Sequence, residues 1–120
     1  MKATIYHNPR CSKSRQTLQI LENHNIEIDV VDYQKTPLSV EKIDGICTGL
    51  GIEPQQIIRT KEQLFKDLGL SVDDQKSRKE WLEILHSNPK LIERPIVQID
   101  KNFVIGRPPE NVEALLNNLS

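Results

Sequence analysis

Several things are scarce in this chain, and each scarcity excludes a class of protein. Only two cysteines occur in 120 residues, too few and too far apart for the disulfide scaffold of a small secreted domain. Aromatic residues make up 4% of the sequence, so its small basic cluster lacks the stacking platform that single-stranded nucleic acid requires. No apolar run approaches a membrane span, and the opening MKATIYHNPR predicts neither a signal peptide nor an anchor. An excess of one charge is missing too: the formal net charge of −1 gives no bulk attraction to nucleic acid or to an anionic membrane surface. Any affinity for anions is therefore local. His7, His24 and His86 show no ligand spacing with a cysteine or with one another, so no metal site is expected. Repeats, low-complexity tracts and linkers are absent. The expectation is one cytoplasmic, monomeric domain with a single core.

A local absence is more telling. The first acidic residue is Glu22, and the stretch HNPRCSKSR sets Cys11 among Arg10, Lys13 and Arg15. The pattern on either side places that cysteine. ATIY (residues 3–6) is a short strand-type run, followed by a turn at Asn8-Pro9. SRQTLQILENHN then carries Leu18, Ile20 and Leu21 at helical spacing. In IEIDVVDY, Ile26, Ile28 and Val30 alternate as in a strand. Strand, helix and strand within about 33 residues make a βαβ unit, hence parallel strands.

The middle reads as helical from about residue 37 to residue 88. Thr36-Pro37 is expected to open a helix bearing Val40, Ile43, Ile46, Cys47 and Leu50. Glu53-Pro54 starts a short turn that ends near Ile57-Ile58. Thr60-x-x-Gln63 is a capping-box pattern before Leu64, Phe65 and Leu68, with Gly69 as the stop. Ser77-x-x-Glu80 repeats the pattern before Trp81, Leu82, Ile84 and Leu85, and Asn88-Pro89 ends that helix. PIVQI and FVIG, split by Asp100-Lys101-Asn102, predict an antiparallel hairpin. Pro109 opens a last helix with Val112, Leu115, Leu116 and Leu119 inward. The predicted order is βαβ, a helical insert, then ββα: an α/β protein with a mixed sheet.

Cys11 thus falls where the first strand gives way to the first helix. Unpaired N–H groups and the positive dipole end favour a negative sulfur there. Three nearby cations act in the same direction, and Ser14 is placed to donate a hydroxyl hydrogen bond. Such surroundings move a thiol from about 8.5 to between roughly 3.5 and 7.5. The plainer alternative is a buried, unreactive cysteine, and residue types leave both open. Cys47 sits in mid-helix on an apolar stripe and reads as packing. Arg59 in IIRTKE, Arg94 in ERPIV and Arg107 in GRPPE are each compatible with an ordinary surface arginine. Two of them directly precede proline, which holds their backbone extended.

Taken together, YHNPRCSKSRQTL, the IIRTKE segment leading into LFKDLGL, NPKLIERPIV and IGRPPE resemble the glutaredoxin-coupled arsenate reductases of the ArsC family. The likeness runs from Ile5 to Leu116 and is nearest to the short, YfgD-like branch, which shares CSKS and GRPPE. The resemblance implies a thioredoxin-like fold with a helical insert. It also implies that Cys11 attacks arsenate and forms a thiol–arsenate ester, while Arg59, Arg94 and Arg107 bind the oxyanion. His7 then supports the loop and the thiolate, Ser14 hydrogen-bonds the sulfur, and the Arg94-Pro95 bond is cis. No cofactor is bound; glutathione is the co-substrate that displaces the intermediate, and a glutaredoxin releases arsenite. The chain departs from the longer reductases in having Ser12-Lys13 where they carry Gly-Thr, and in stopping soon after the last helix. Two other readings share these residues. One is a glutathione-dependent oxidoreductase acting on another substrate. The other is an Spx-like regulator that binds RNA polymerase, although Ser14 stands where those proteins place the second cysteine of a switch.

Overall fold

The computed structural model describes residues 2–119. Four strands form a mixed sheet in the order β2-β1-β3-β4: β1 (Lys2–His7), β2 (Glu27–Asp32), β3 (Ile96–Ile99) and β4 (Asn102–Ile105). β1 and β2 run parallel with Ile5 opposite Val30, as a helical crossover requires. That crossover is α1 (Ser12–Asn23). β3 lies antiparallel to β1 with Ile5 opposite Val97, and the β3–β4 hairpin pairs Ile96 with Ile105. The architecture is the α/β, thioredoxin-like βαβ…ββα order predicted from the sequence.

The chain divides into two units. Residues 2–36 and 94–119 form one, with the sheet, α1 and α5 (Glu110–Leu119). Its core is built from alternate residues of the strands and one stripe of each helix. Ala3, Ile5, Val97 and Ile99 meet Leu21, Val112 and Leu116, all essentially without exposure. Leu18, Ile20, Leu115 and Leu119 pack around them, half-buried. The stripe of α1 departs from the expected one in a useful way. Its fully buried residues are Ser14, Thr17 and Leu21, so two hydroxyls lie where an apolar face was predicted. Val30 differs as well: it is 51% exposed. β2 is an edge strand, and only Ile26 and Ile28 of the predicted alternation join the core.

Pro37–Glu93 is the other unit. It holds α2 (Val40–Leu50), α3 (Gln63–Asp67) and α4 (Arg78–Ser87), with short 3-10 turns at Pro54–Ile57 and Pro89–Leu91. Ile43, Ile46, Cys47, Ile57, Trp81, Leu85 and Leu91 are among its buried side chains. Ser77 and Glu80 form the predicted capping box: the Ser77 hydroxyl accepts from the Glu80 N–H at 3.2 Å, and the Glu80 carboxylate accepts from the Ser77 N–H at 3.2 Å. The other two predicted openings are shifted. α2 is capped by Ser39, whose hydroxyl accepts from the Lys42 N–H at 3.1 Å. Thr36 stays outside the helix because the Asp32 carbonyl accepts its N–H at 3.0 Å. Thr60 caps nothing either; Glu62 occupies the cap position of α3. Gly69 is the stop, at φ +67, and lets the Leu70 N–H reach back to the Phe65 carbonyl at 3.3 Å.

Candidate active site

The loop between β1 and α1 is a tight turn stapled from within. The Cys11 N–H donates to the Asn8 carbonyl at 3.0 Å, closing a four-residue turn with asparagine first and proline second, the residues such a turn favours. The Asn8 side chain accepts from the Arg10 N–H at 3.0 Å, and Arg15 reaches back to the Pro9 carbonyl at 2.9 Å. Cys11 is therefore held as the cap residue of α1, in extended backbone, with no acidic residue in the first helical turn. Cys11 is half-buried and not in a disulfide.

Two opposing influences act on that sulfur. Burial pushes the thiol up; the Ser14 N–H, the Arg94 guanidinium, the Lys13 N–H and the Ser14 hydroxyl pull it down, and together they prevail. The net result is a thiol below its ordinary value. Sulfur is too large and soft an acceptor to make a conventional short cap bond, but the free N–H groups of the first turn still favour its charged form. Ser14 is completely buried, and its hydroxyl oxygen also accepts from the Asn8 N–H at 3.4 Å. Loop, helix and sulfur are thereby tied together. Cys47 behaves oppositely: burial pushes it up to about 11, only partly offset by the nearby Arg78.

His7 closes β1 and is 5% exposed. Burial holds its pKa below the ordinary value, opposed by Asp32 and reinforced by Arg15. Among the described residues its Nδ1 has no hydrogen-bond partner. The imidazole is thus neutral at pH 7 and contributes no positive charge beside the loop. Pro95 is buried, and the Arg94-Pro95 peptide is cis as the resemblance implied. The Arg107-Pro108 peptide, for which no such expectation existed, is cis as well. Arg107 is exposed at the end of β4, and its carbonyl accepts from Asn111 at 3.4 Å.

Of the seven residues singled out from sequence, Cys11, Ser14, Arg94, His7, Pro95 and Arg107 belong to the sheet unit. Only Arg94 and Ser14 act directly on the sulfur. Arg59 belongs to the helical unit. There its Nε donates to Glu62 at 3.2 Å and its Nη1 to Glu93 at 3.3 Å, while its backbone N–H donates to the Leu91 carbonyl at 2.7 Å. Two carboxylates already engage this guanidinium. Three residues that organise the centre were not singled out from sequence: Asn8, Thr17 and Gly106. The signal for Thr17 was available, since positions 14, 17 and 21 fall on one helical face. No cluster of three or more His, Cys, Asp or Glu side chains able to hold a metal occurs among the described residues.

Comparison with known proteins agrees with this geometry. The ArsC family profile matches residues 6–115. Over 109 residues the chain is 43% identical to YfgD of Escherichia coli, covering 90% of this chain and 91% of that one. It is also 43% identical over 117 residues to an arsenate reductase of Haemophilus influenzae, covering 97% of this chain and all of the other. A solved structure of an arsenate reductase from Vibrio cholerae superposes with a TM-score of 0.89 at 44% identity, covering 95% of this chain and 97% of that chain. A half-buried cysteine at a helix start, a cis proline after an arginine that reaches the sulfur, and these matches across nearly the whole length lead to one statement: the chain belongs to the ArsC family.

Proposed function

We propose that the protein is a cytoplasmic arsenate reductase of the glutathione- and glutaredoxin-dependent type. The observation that carries this reading is Cys11: half-buried, at the cap of α1, with its thiol drawn below its ordinary value by the Ser14 N–H and the Arg94 guanidinium against the effect of burial. Arsenate is a tetrahedral anion, and a thiolate approaching it meets charge repulsion. Guanidinium groups offset that repulsion with planar, forked donors that suit such oxygens better than an ammonium does. Arg94 acts on the sulfur, and in this reading its fork also binds the oxyanion. Arg107, exposed in the same unit, belongs to the set carried over from the family resemblance. Each donor removed costs on the order of a few kcal/mol of transition-state stabilisation.

The chemistry balances with three thiols. The Cys11 sulfur bonds to arsenic while one arsenate oxygen, protonated, leaves as water; the thiol of glutathione then bonds to arsenic as a second oxygen leaves as water. A glutaredoxin thiolate attacks the glutathione sulfur, and the electron pair of that sulfur–arsenic bond passes to arsenic, reducing it. Glutaredoxin and glutathione are left as a mixed disulfide, and water displaces the Cys11 thiolate from arsenic to release arsenite. No second cysteine of this chain takes part, because position 14 is serine and Cys47 is a buried thiol held to about 11.

The test is an NADPH-coupled assay with glutathione, glutaredoxin and glutathione reductase. Cys11→Ser is expected to abolish arsenate turnover, whereas Cys47→Ser retains it. Turnover that survives Cys11→Ser would refute the assignment. Turnover of low-molecular-weight mixed disulfides, with none of arsenate, would transfer the centre to another substrate.

A further inference from the structure

We propose that Thr17 is a positioning residue for the Cys11 centre: its hydroxyl, acting through Gly106 and Pro95, fixes where Arg94 and Arg107 leave the sheet relative to the first turn of α1. This rests on reading Cys11 as the reactive thiolate. Thr17 is completely buried, one turn beyond Ser14 on the same stripe of α1. Its hydroxyl donates to the Gly106 carbonyl at 3.3 Å, and the Gly106 N–H donates to the Pro95 carbonyl at 2.9 Å. Arg94 is the residue before Pro95, and Arg107 is the residue after Gly106. A single knot of two hydrogen bonds therefore lies one residue from each arginine and ties both to the helix that carries Cys11.

The fit at Gly106 shows how close this approach is. A Cβ there would fall 2.8 Å from the Thr17 hydroxyl oxygen, and 3.0 Å from both the Thr17 methyl and Cγ of Pro95. Gly106 is not among the residues of positive φ, so its glycine serves contact and not backbone freedom. A position that needed only to be filled would take valine, which has the same shape and no polar atom to bury. The hydroxyl of Thr17 has instead a single partner at this knot, the carbonyl that aims the arginine loop. An arginine side chain is long, and its fork reaches a fixed point only when its backbone origin is fixed; an error of about 1 Å suffices to spoil such a site.

The experiment measures the rate of Cys11 alkylation by iodoacetamide as a function of pH in the full chain. The buried Cys47 thiol does not compete. Thr17→Val keeps the shape and deletes the donor; Thr17→Ser keeps the donor and deletes the methyl. The expected result is a thiol pKa about one unit higher in Thr17→Val, hence roughly tenfold slower alkylation below the transition. Thr17→Ser should titrate like the parent while melting at lower temperature. Thr17→Ala deletes the donor without adding an atom, carries the same expectation as valine, and stands in if valine does not fold. A folded Thr17→Val or Thr17→Ala chain that titrates like the parent overturns the proposal. An ordinary thiol titration in the parent chain overturns the reading of the Cys11 centre itself, and the role of Thr17 with it.

Discussion

Ser14 addresses the Cys11 sulfur twice, once with its backbone N–H and once with its hydroxyl. The two donors differ in what removes them. The N–H belongs to the helix and survives any substitution short of proline, whereas the hydroxyl is supplied by the side chain alone. The Ser14 oxygen also accepts from Asn8, so one buried hydroxyl joins the turn that presents the cysteine to the helix that charges it.

Ser14→Ala is therefore expected to weaken the thiolate without abolishing it. The backbone donors and Arg94 remain, and hydrogen bonds to a charged group are worth about 1.5–3 kcal/mol when well formed. Since Cys11 is only half-buried, solvent reduces that figure, and a modest rise in its pKa is the expected direction. Alkylation should slow at neutral pH and converge with the parent rate above the ordinary thiol range. Equal rates across the whole profile would show that the hydroxyl does not contribute.

The same depressed thiol has a consequence for stability, and its sign is fixed. Cys11 ionises at lower pH in the folded chain than at its ordinary value of 9.0, so between those two points the unfolded chain binds more protons. The stabilisation is absent below the folded pKa, grows as pH rises, and is complete above the ordinary value. Urea denaturation of the parent and of Cys11→Ser across this interval should give curves that separate in favour of the parent as pH increases. Separation in the opposite direction would mean that burial outweighs the hydrogen bonds.

The parts of this molecule that follow from local rules were legible in the sequence. The strand-type run ATIY, the turn at Asn8-Pro9, the Ser77–Glu80 box and the Gly69 stop each depend on a few neighbouring residues, and each stands where the sequence put it. Thr60 misled because Thr-x-x-Gln is only a pattern: the chain rises to the helix at Glu62, and the threonine hydroxyl is left outside. Val30 misled because alternation places it on the same face as Ile26 and Ile28 but does not show how far along an edge strand that face stays covered. The Cys11 loop could be read because its cations and its one proline lie close together in sequence. What could not be read is pairing over distance. Thr17 lies 89 positions from Gly106, and the carboxylates that engage Arg59 include one 34 positions away; neither relation leaves a trace in local spacing.

Ser77→Ala tests the most local of these features. The box supplies acceptors for two backbone N–H donors that would otherwise be left bare at the start of α4. Its loss should cost about 1 kcal/mol. The measurement is the midpoint of urea unfolding, with Ser77→Gly restoring most of the loss, because glycine is a tolerable cap and alanine is not. An alanine variant as stable as the parent would mean that tertiary packing of Trp81, Leu82 and Leu85 sets the start of α4 without help from the cap.

Arg78 tests the opposite case, a side chain whose partners are all distant in sequence. Its guanidinium donates to Asp44 at 2.8 Å, Glu53 at 3.1 Å and Thr48 at 3.3 Å, joining the start of α4 to α2 and to the first 3-10 turn. The arrangement has the look of a strong staple, but its side chain is 36% exposed and Glu53 is 65% exposed. Water screens such a pair, and the side chains lose entropy in forming it. Arg78→Met, which keeps the aliphatic stem, should thus cost no more than about 1 kcal/mol. The cost should also shrink as salt is added, since exposed charges are screened within a Debye length. Denaturation at low and high ionic strength separates the two contributions. A loss that is large and independent of salt would show that Arg78 contributes more than a screened charge, through hydrogen bonds that water does not replace.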